Sequence, residues 1–498
     1  MGGARRRAWV VAGVVVVLIG LVGGAPAAVV EAQRVRPVAA QPPNIVFVLT
    51  DDLSWNLVPY MPEVRKLQDE GTTFDDYIVT DSLCCPSRAS ILTGRFPHDT
   101  GVYTNGGKDG GFHYFHDHGE ESDTFATALR ARGYRTAMMG KYLNEYQPTS
   151  TEGGTEPYVP PGWSEWDVAG RGYGGFRYTL NENHDLVRYG NQPPDYLTDV
   201  LADKGAAFIT RSARAHKPFL LEVATFAPHA PYNPAPRHAN DFPGLAAPRG
   251  PAFNTMPVLA PPWLAGRPKL GPSEGKGIDK TFRKRAQTVQ SVDELIAHLR
   301  TTLAAAGVAD NTYIVFSSDN GFHMGEHRLT PGKMTAFDTD VRVPLVVAGP
   351  GVPASRRRDA AVANIDLAPT FADAGGAPVS SEVDGRSLLP LLRGGSGAGW
   401  RTANLVEHHG ATVRADDPDR PAPGSGNPPS YEAMRTHDYT YVEYVDGERE
   451  YYDLTRDPEQ LHNLARSLNP DREDQLHAAL VRLANCHGGA ACWAAGHV

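Results

Sequence analysis

Cysteine is scarce in this chain, with four residues in 498, too few for the disulfide framework that holds small extracellular domains together. Long runs of like charge are also missing, and the formal net charge of −9 is spread along the sequence. That leaves no electrostatic footprint for nucleic acid, so a polyanionic ligand would have to be met by local basic groups. The apolar run near the start, residues 9 to 22, falls short of the ~20 residues that a membrane-spanning helix needs, no later segment does better, and no internal repeat is visible.

What is present is length. A chain of 498 residues exceeds the size at which one hydrophobic core usually stops growing, so one large domain plus a smaller one is expected, with a core sufficient for an enzyme. At the start, Arg5, Arg6 and Arg7 form a positive region, residues 9 to 22 an apolar one, and Ala25-Pro26-Ala27 a small-residue stretch suited to cleavage, the pattern of an export signal. The expected organisation is a signal peptide over residues 1–33, a catalytic domain over 43–380 and a small C-terminal domain over 381–498. With cleavage the mature chain is secreted or associated with the cell envelope, without a stable membrane span; the alternative is an uncleaved anchor.

The four cysteines fall in two pairs. Cys486 and Cys492 close a short Gly-containing loop, for which a structural disulfide is expected in an oxidising compartment, with metal binding as the alternative. Adjacent Cys84 and Cys85 bridge only with strain and need a different account.

The run Asn44-Ile-Val-Phe-Val-Leu-Thr50 is continuously apolar and β-branched, which suits a strand buried on both faces of a largely parallel sheet. It ends in Asp51-Asp52, and a second such run, residues 312–317, leads through Ser318 into Asp319-Asn320. Ligands in open α/β sheets sit beyond the carboxyl ends of the strands, so two strands finishing in oxygen-rich residues point to one shared site. Further strands are expected at 134–139, 219–225 and 345–348, and a helix at 281–303, where Val289, Val292, Leu295, Ile296, Leu299 and Leu303 repeat at helical spacing. This alternation means an α/β fold. Residues 231–276, rich in Pro and Gly, read either as a loop that walls the site or as a disordered insertion, and 394–430 reads as a second loose region. Beyond it, 439–445 and 450–454 read as short antiparallel strands.

The side chains of Asp51, Asp52, Asp319 and Asn320 offer hard oxygen atoms, which suit Ca²⁺ or Mg²⁺ and not zinc. Basic residues recur in distinctive contexts: Arg88 in Cys84-Cys-Pro-Ser-Arg88, Lys141 in Gly140-Lys-Tyr-Leu-Asn-Glu-Tyr146, His229 in Ala227-Pro-His-Ala-Pro-Tyr232, and Lys333 in Pro331-Gly-Lys333.

The segment Leu83-Cys-Cys-Pro-Ser-Arg-Ala-Ser-Ile-Leu-Thr-Gly-Arg95 resembles the signature of the sulfatase family, in which Cys-x-Pro-Ser-Arg is followed by a helix and Thr-Gly-Arg. The doubled cysteine and the Lys-Tyr-Leu-Asn-Glu-Tyr wording are similar to N-acetylglucosamine-6-sulfatase-like members, and the resemblance extends over about residues 43–465. It implies an alkaline-phosphatase-like fold: a large domain with a mixed, mostly parallel sheet flanked by helices, and a small C-terminal domain with a short antiparallel sheet. It implies too that Cys84 is converted to formylglycine by a formylglycine-generating enzyme, that the hydrated aldehyde's two hydroxyls serve for attack on sulfur and for release of sulfate, and that position 84 completes the metal shell. By the same resemblance Arg88 and Lys141 hold the formylglycine and the sulfate, while His229 with Lys333 contacts the ester and protonates the leaving oxygen. One departure stands out, because many members have Lys-x-His where this chain has Lys141-Tyr142-Leu143. Asn144 can fill some of that space but cannot move a proton. The substrate implied is a sulfated sugar such as glucosamine 6-sulfate, with an aryl sulfate as the near alternative. Phosphonate monoester hydrolases and phosphodiesterases share the motif and form the second enzyme class to test. His323 and His327, just past the second acidic pair, are candidates for lining the pocket or for packing.

Overall fold

A computed structural model describes residues 41–410 and 417–498; the expected export signal lies outside them. Strand β1 (Asn44–Thr50) is buried along its whole length. Its side chains alternate between two cores, Ile45, Phe47 and Leu49 entering one and Val46 and Val48 the other, as the two-residue period of a strand requires. A strand with helices over both faces has no polar side, which is why its sequence is apolar throughout.

Strands β2 (Arg135–Lys141), β3 (Phe219–Ala224) and β4 (Thr312–Ser318) run parallel with β1, in the spatial order β4-β1-β3-β2. Strand β5 (Leu345–Ala348) pairs antiparallel with β4. Shorter strands extend both edges, Thr72–Phe74 and Arg356–Arg358 beyond β5, and Glu165–Ala169, Thr179–Glu182 and Asp185–Arg188 beyond β2, giving a ten-stranded mixed sheet.

Helix α1 (Cys84–Thr93) packs Cys85, Ala89, Ile91 and Leu92 on the Phe47 face of the sheet. On the Val46 face lie α2 (Leu197–Arg214) and α3 (Pro272–Ala305). Helix α3 carries the expected Val289 to Leu303 stripe but begins nine residues before the expected 281. Of the added residues 272–280 only Ile278 is buried, the rest being exposed or half-buried, so no repeating apolar stripe marks them. Their start is marked instead by Pro272 at the first helical position and by the Glu274 carboxylate, which accepts the Gly271 N–H at 2.6 Å.

A four-stranded antiparallel sheet, Ala403–His408, Tyr431–Thr436, Tyr439–Tyr444 and Arg449–Asp453, lies near the C-terminus. Helix Pro470–Ala484 covers it, with Leu476, Leu480 and Leu483 against Leu405, Met434 and Tyr441. The first of these strands falls inside the stretch read as loose. It is fully buried yet includes Asn404, Glu407 and His408, so its polar residues hid it; Asn404 donates to the Val362 carbonyl at 3.1 Å. Cys486 and Cys492 form a disulfide in the same small core, while Cys84 and Cys85 are free and buried.

Candidate active site

Four parallel strands deliver their carboxyl ends to one place. Thr50 of β1 and Ser318 of β4 are paired neighbours, so Asp51 and Asp319 emerge side by side. Lys141 closes β2, and His229 follows β3 by five residues. Asp52 adopts a left-handed backbone, φ 66°, a conformation that Asp tolerates better than most residues. Gly140 is required before Lys141: its φ is +102° and a Cβ there would lie 2.0 Å from the Ala224 carbonyl oxygen of β3.

Helix α1 explains the residue types of the signature. Its first residue, Cys84, places Sγ 3.2 Å from Asp51 Oδ1 and 2.9 Å from Lys333 Nζ. Ser87 donates its hydroxyl to the Asp319 carbonyl. Arg88 donates from Nε to Asp319 Oδ2 at 2.8 Å and from Nη1 to the Lys141 carbonyl at 2.8 Å. The helix is thereby tied to the ends of β4 and β2. Gly94, in the left-handed region at φ 75°, caps the helix by donating to the Ser90 carbonyl.

All nine residues expected from the sequence, Asp51, Asp52, Cys84, Arg88, Lys141, His229, Asp319, Asn320 and Lys333, are buried in this one cluster. Lys141 Nζ reaches Asp51 Oδ2 at 2.8 Å and Lys333 Nζ reaches Asp52 Oδ1 at 2.7 Å. Asn320 donates to Asp52 Oδ1 at 2.7 Å, while its own Oδ1 is buried without a hydrogen-bond partner. Ligand atoms of Asp51, Asp52, Cys84 and Asp319 lie within 4.8 Å of one another. Three carboxylates and an orphaned amide oxygen fit a hard divalent cation. Arg88 Nη2 is likewise a buried donor without a partner, suited to an added oxygen.

The electrostatics follow from burial and charge pairing. Burial opposes ionisation of Asp51, but Lys141, His229, Arg88 and Lys333 outweigh it and bring its pKa down to about 2. Burial likewise opposes a charged His229, yet Asp419, Asp51 and Asp52 raise it to about 9. For Cys84 burial and the carboxylates of Asp319, Asp419 and Asp51 push the thiol well above its usual range despite Lys141. A helix N-terminus ordinarily favours thiolate; here desolvation wins, and an unmodified Cys84 stays a protonated, weak nucleophile.

Sequence reasoning missed Asp419. It lies in the stretch read as loose, within Asp417-Pro-Asp-Arg420, and only that acidic wording among small and Pro residues marks it. Its carboxylate meets His229 Nε2 and Lys333 Nζ, each at 2.6 Å. Asn105 was also unread; it accepts the Cys85 N–H at 3.0 Å and donates to Asp419 at 2.7 Å. Leu143, in place of the family's histidine, lines a cavity of about 510 Å³ together with Lys141, Asn144 and Tyr173. His323 and His327 lie outside the cluster. His323 bonds Asp340 at 2.9 Å, and His327 stacks on Phe337 with Nε2 3.0 Å from the Glu459 carbonyl. From the long loop Tyr232 walls a smaller cavity beside His229 and Lys333, and Leu264 anchors the loop against Leu329, Phe337 and Tyr452.

Comparison with known proteins places these features in context. Residues 43–377 match the family model described as "Sulfatase", and residues 325–485 match one described as "N-sulphoglucosamine sulphohydrolase, C-terminal". The N-acetylglucosamine-6-sulfatase of Homo sapiens is 36% identical over 473 residues, covering 90% of this chain and 85% of its own length. A structure solved in complex with its substrate D-glucosamine-2-N,6-O-disulfate superposes with a TM-score of 0.74 at 24% identity, over 89% of this chain and 97% of that one. The phosphonate monoester hydrolase of Agrobacterium radiobacter shares the fold at a TM-score of 0.66 and 20% identity, over 89% of this chain and 94% of its own.

Proposed function

We propose that this chain, which belongs to the sulfatase family and is a sulfuric ester hydrolase, removes the 6-O-sulfate from sulfated glucosamine in a glycosaminoglycan, using a formylglycine made from Cys84. The observation that carries the sugar assignment is the 36% identity over 90% of the chain to an N-acetylglucosamine-6-sulfatase, joined to the Cys84-Cys85 and Lys141 to Tyr146 wording. On this reading the catalytic part spans 43–380, and the product of export and cleavage acts outside the cytoplasm. Among the described residues no helix is long and apolar enough to cross a membrane.

Asp51, Asp52, Asp319 and Asn320, with position 84, would hold a Ca²⁺ or Mg²⁺ ion, which supplies Lewis-acid stabilisation to the oxygens of the reacting group. Conversion of Cys84 by a formylglycine-generating enzyme replaces the inert thiol with a hydrated aldehyde bearing two hydroxyls. The chain's own groups do the remainder. Arg88, locked by Asp319 and the Lys141 carbonyl, keeps a buried Nη2 with no protein partner, a donor for an oxygen of the reacting group. Lys141, fixed by Asp51, sets positive charge beside the sulfuryl oxygens, where a charge already held in place needs no reorganisation as the reaction proceeds. His229, kept protonated by the surrounding carboxylates, has the proton that the leaving sugar oxygen requires, and Lys333 holds that oxygen in reach. Leu143 supplies no base, and Asn144 adds only hydrogen bonding.

Turnover of N-acetylglucosamine 6-sulfate, a nitrophenyl sulfate, a phosphate monoester and a phosphodiester tests the assignment. The sugar sulfate is expected to be the best substrate. A clear preference for the phosphodiester would refute it.

A further inference from the structure

In the unconverted chain, with Cys84 still a thiol, Lys333 and His229 have no proton free for a substrate. Lys333 Nζ faces Asp52 Oδ1 at 2.7 Å, Cys84 Sγ at 2.9 Å and Asp419 Oδ1 at 2.6 Å, three partners for the three protons of an ammonium. His229 Nδ1 lies 2.8 Å from the Ala230 carbonyl and Nε2 lies 2.6 Å from Asp419 Oδ1. Both ring nitrogens therefore meet acceptors, and each has one proton to give. The other oxygen of Asp419 accepts Asn105 Nδ2 at 2.7 Å and Asn144 Nδ2 at 3.2 Å. One carboxylate, its side chain 1% exposed, thus takes donors from four residues.

We propose that Asp419 sits where the oxygens of the sulfate ester bind, so that its carboxylate competes with substrate for the same donors and sets the affinity of the site. This rests on the reading of Lys333 and His229 as the ester-contacting pair. Charge supports it. A sulfate monoester is a monoanion, as a carboxylate is, so their exchange leaves the balance of the buried cluster unchanged. A phosphate monoester, with a second pKa near ~6, would add charge. Shape supports it as well. The cavity of about 510 Å³ beside Lys141 and a second of about 140 Å³ beside His229 and Lys333 are both lined by Pro418. Residues 417–419 divide one cleft in two, and their withdrawal joins the halves at the donors that Asp419 releases.

The test uses the full chain and inorganic sulfate, the released dianion, which meets the same donors with one charge more than the ester and whose binding by calorimetry does not depend on turnover. Asp419→Ala is expected to bind sulfate on the order of tenfold tighter, the gain when a competent state populated about one-tenth of the time becomes the only one. KM for a nitrophenyl sulfate should fall in parallel. Asp419→Asn, which keeps the shape of the side chain and removes its charge, should move in the same direction, and it carries the test if the alanine variant folds poorly. Sulfate binding unchanged or weaker in both Asp419 variants, with Lys333→Ala and His229→Ala losing it, would overturn the proposal and leave the ester-site reading intact. Binding of sulfate at wild-type strength by Lys333→Ala and His229→Ala would instead remove the ester-site reading, and the proposal with it.

Discussion

Arg88 and Asp319, 231 residues apart in the chain, meet at 2.8 Å in a site that excludes water. The same guanidinium grips the Lys141 carbonyl. One side chain therefore sets the distance between the helix that presents Cys84 and the strands that present Asp319 and Lys141. Lysine at 88 carries the charge but lacks the planar fork that serves both partners at once. Arg88→Lys is expected to lower kcat/KM by at least about a hundredfold, and Arg88→Ala, by stranding the Asp319 carboxylate, to cost about 3–5 kcal/mol of stability. Steady-state kinetics and thermal unfolding separate the two effects.

Cys84 and Cys85 are adjacent and both fully buried, yet they face different surroundings. Cys84 Sγ lies among Asp51 and Lys333, whereas Cys85 packs into the apolar core with Ala89. Cys84→Ala should abolish turnover, with a loss of about ten-thousandfold or more for a missing nucleophile. Cys85→Ala should retain activity and lose about 1 kcal/mol of stability for a small buried group. Comparable losses in the two variants would contradict the assignment.

The three carboxylates and one amide of the same cluster give the metal prediction. Treatment with a chelator is expected to lower both activity and the unfolding temperature, because an ion that binds only the folded chain stabilises it by mass action. Added Ca²⁺ or Mg²⁺ should restore both. Indifference of the unfolding temperature to chelator would argue that Asp51, Asp52 and Asp319 serve only to pair with Lys141, Lys333 and Arg88, with Asn320 held on Asp52.

The raised pKa of His229 fixes a pH dependence. Its protonated form is favoured in the folded chain, so its contribution to stability is complete below the ordinary histidine range near ~6.5 and is lost as pH rises toward about 9. As the proton source for the leaving oxygen, it should give kcat/KM an alkaline limb that falls as pH passes about 9. In Asp419→Ala, which removes a neighbouring carboxylate, that limb should move to lower pH. An alkaline limb unaffected by His229→Gln would assign the proton to another group.

Much of this site was legible before the fold was known, for a physical reason. Ligand-bearing residues directly after apolar strands, such as Asp51 after Thr50 and Asp319 after Ser318, sit at the carboxyl edge of a parallel sheet by geometry alone. The resemblance to a known family then brought in Lys141, His229 and Lys333, whose side chains carry no local pattern of their own. Asp419 had neither advantage, since it follows no strand and lies in a stretch without period. Its position depends on contacts with Asn105, Asn144, His229 and Lys333, all of them more than eighty residues away in the chain. The strand Ala403–His408 was hidden in the same way, because Asn404 and Glu407 are polar yet buried and paired.

The central claim is tested most directly by the mass of the peptide containing Cys84 to Arg88, taken from protein purified from its native host. The account predicts a loss of about 18 Da relative to cysteine, the replacement of a thiol by an aldehyde, at position 84 and not at 85. An unmodified thiol at 84 in protein that hydrolyses sulfate esters would contradict it.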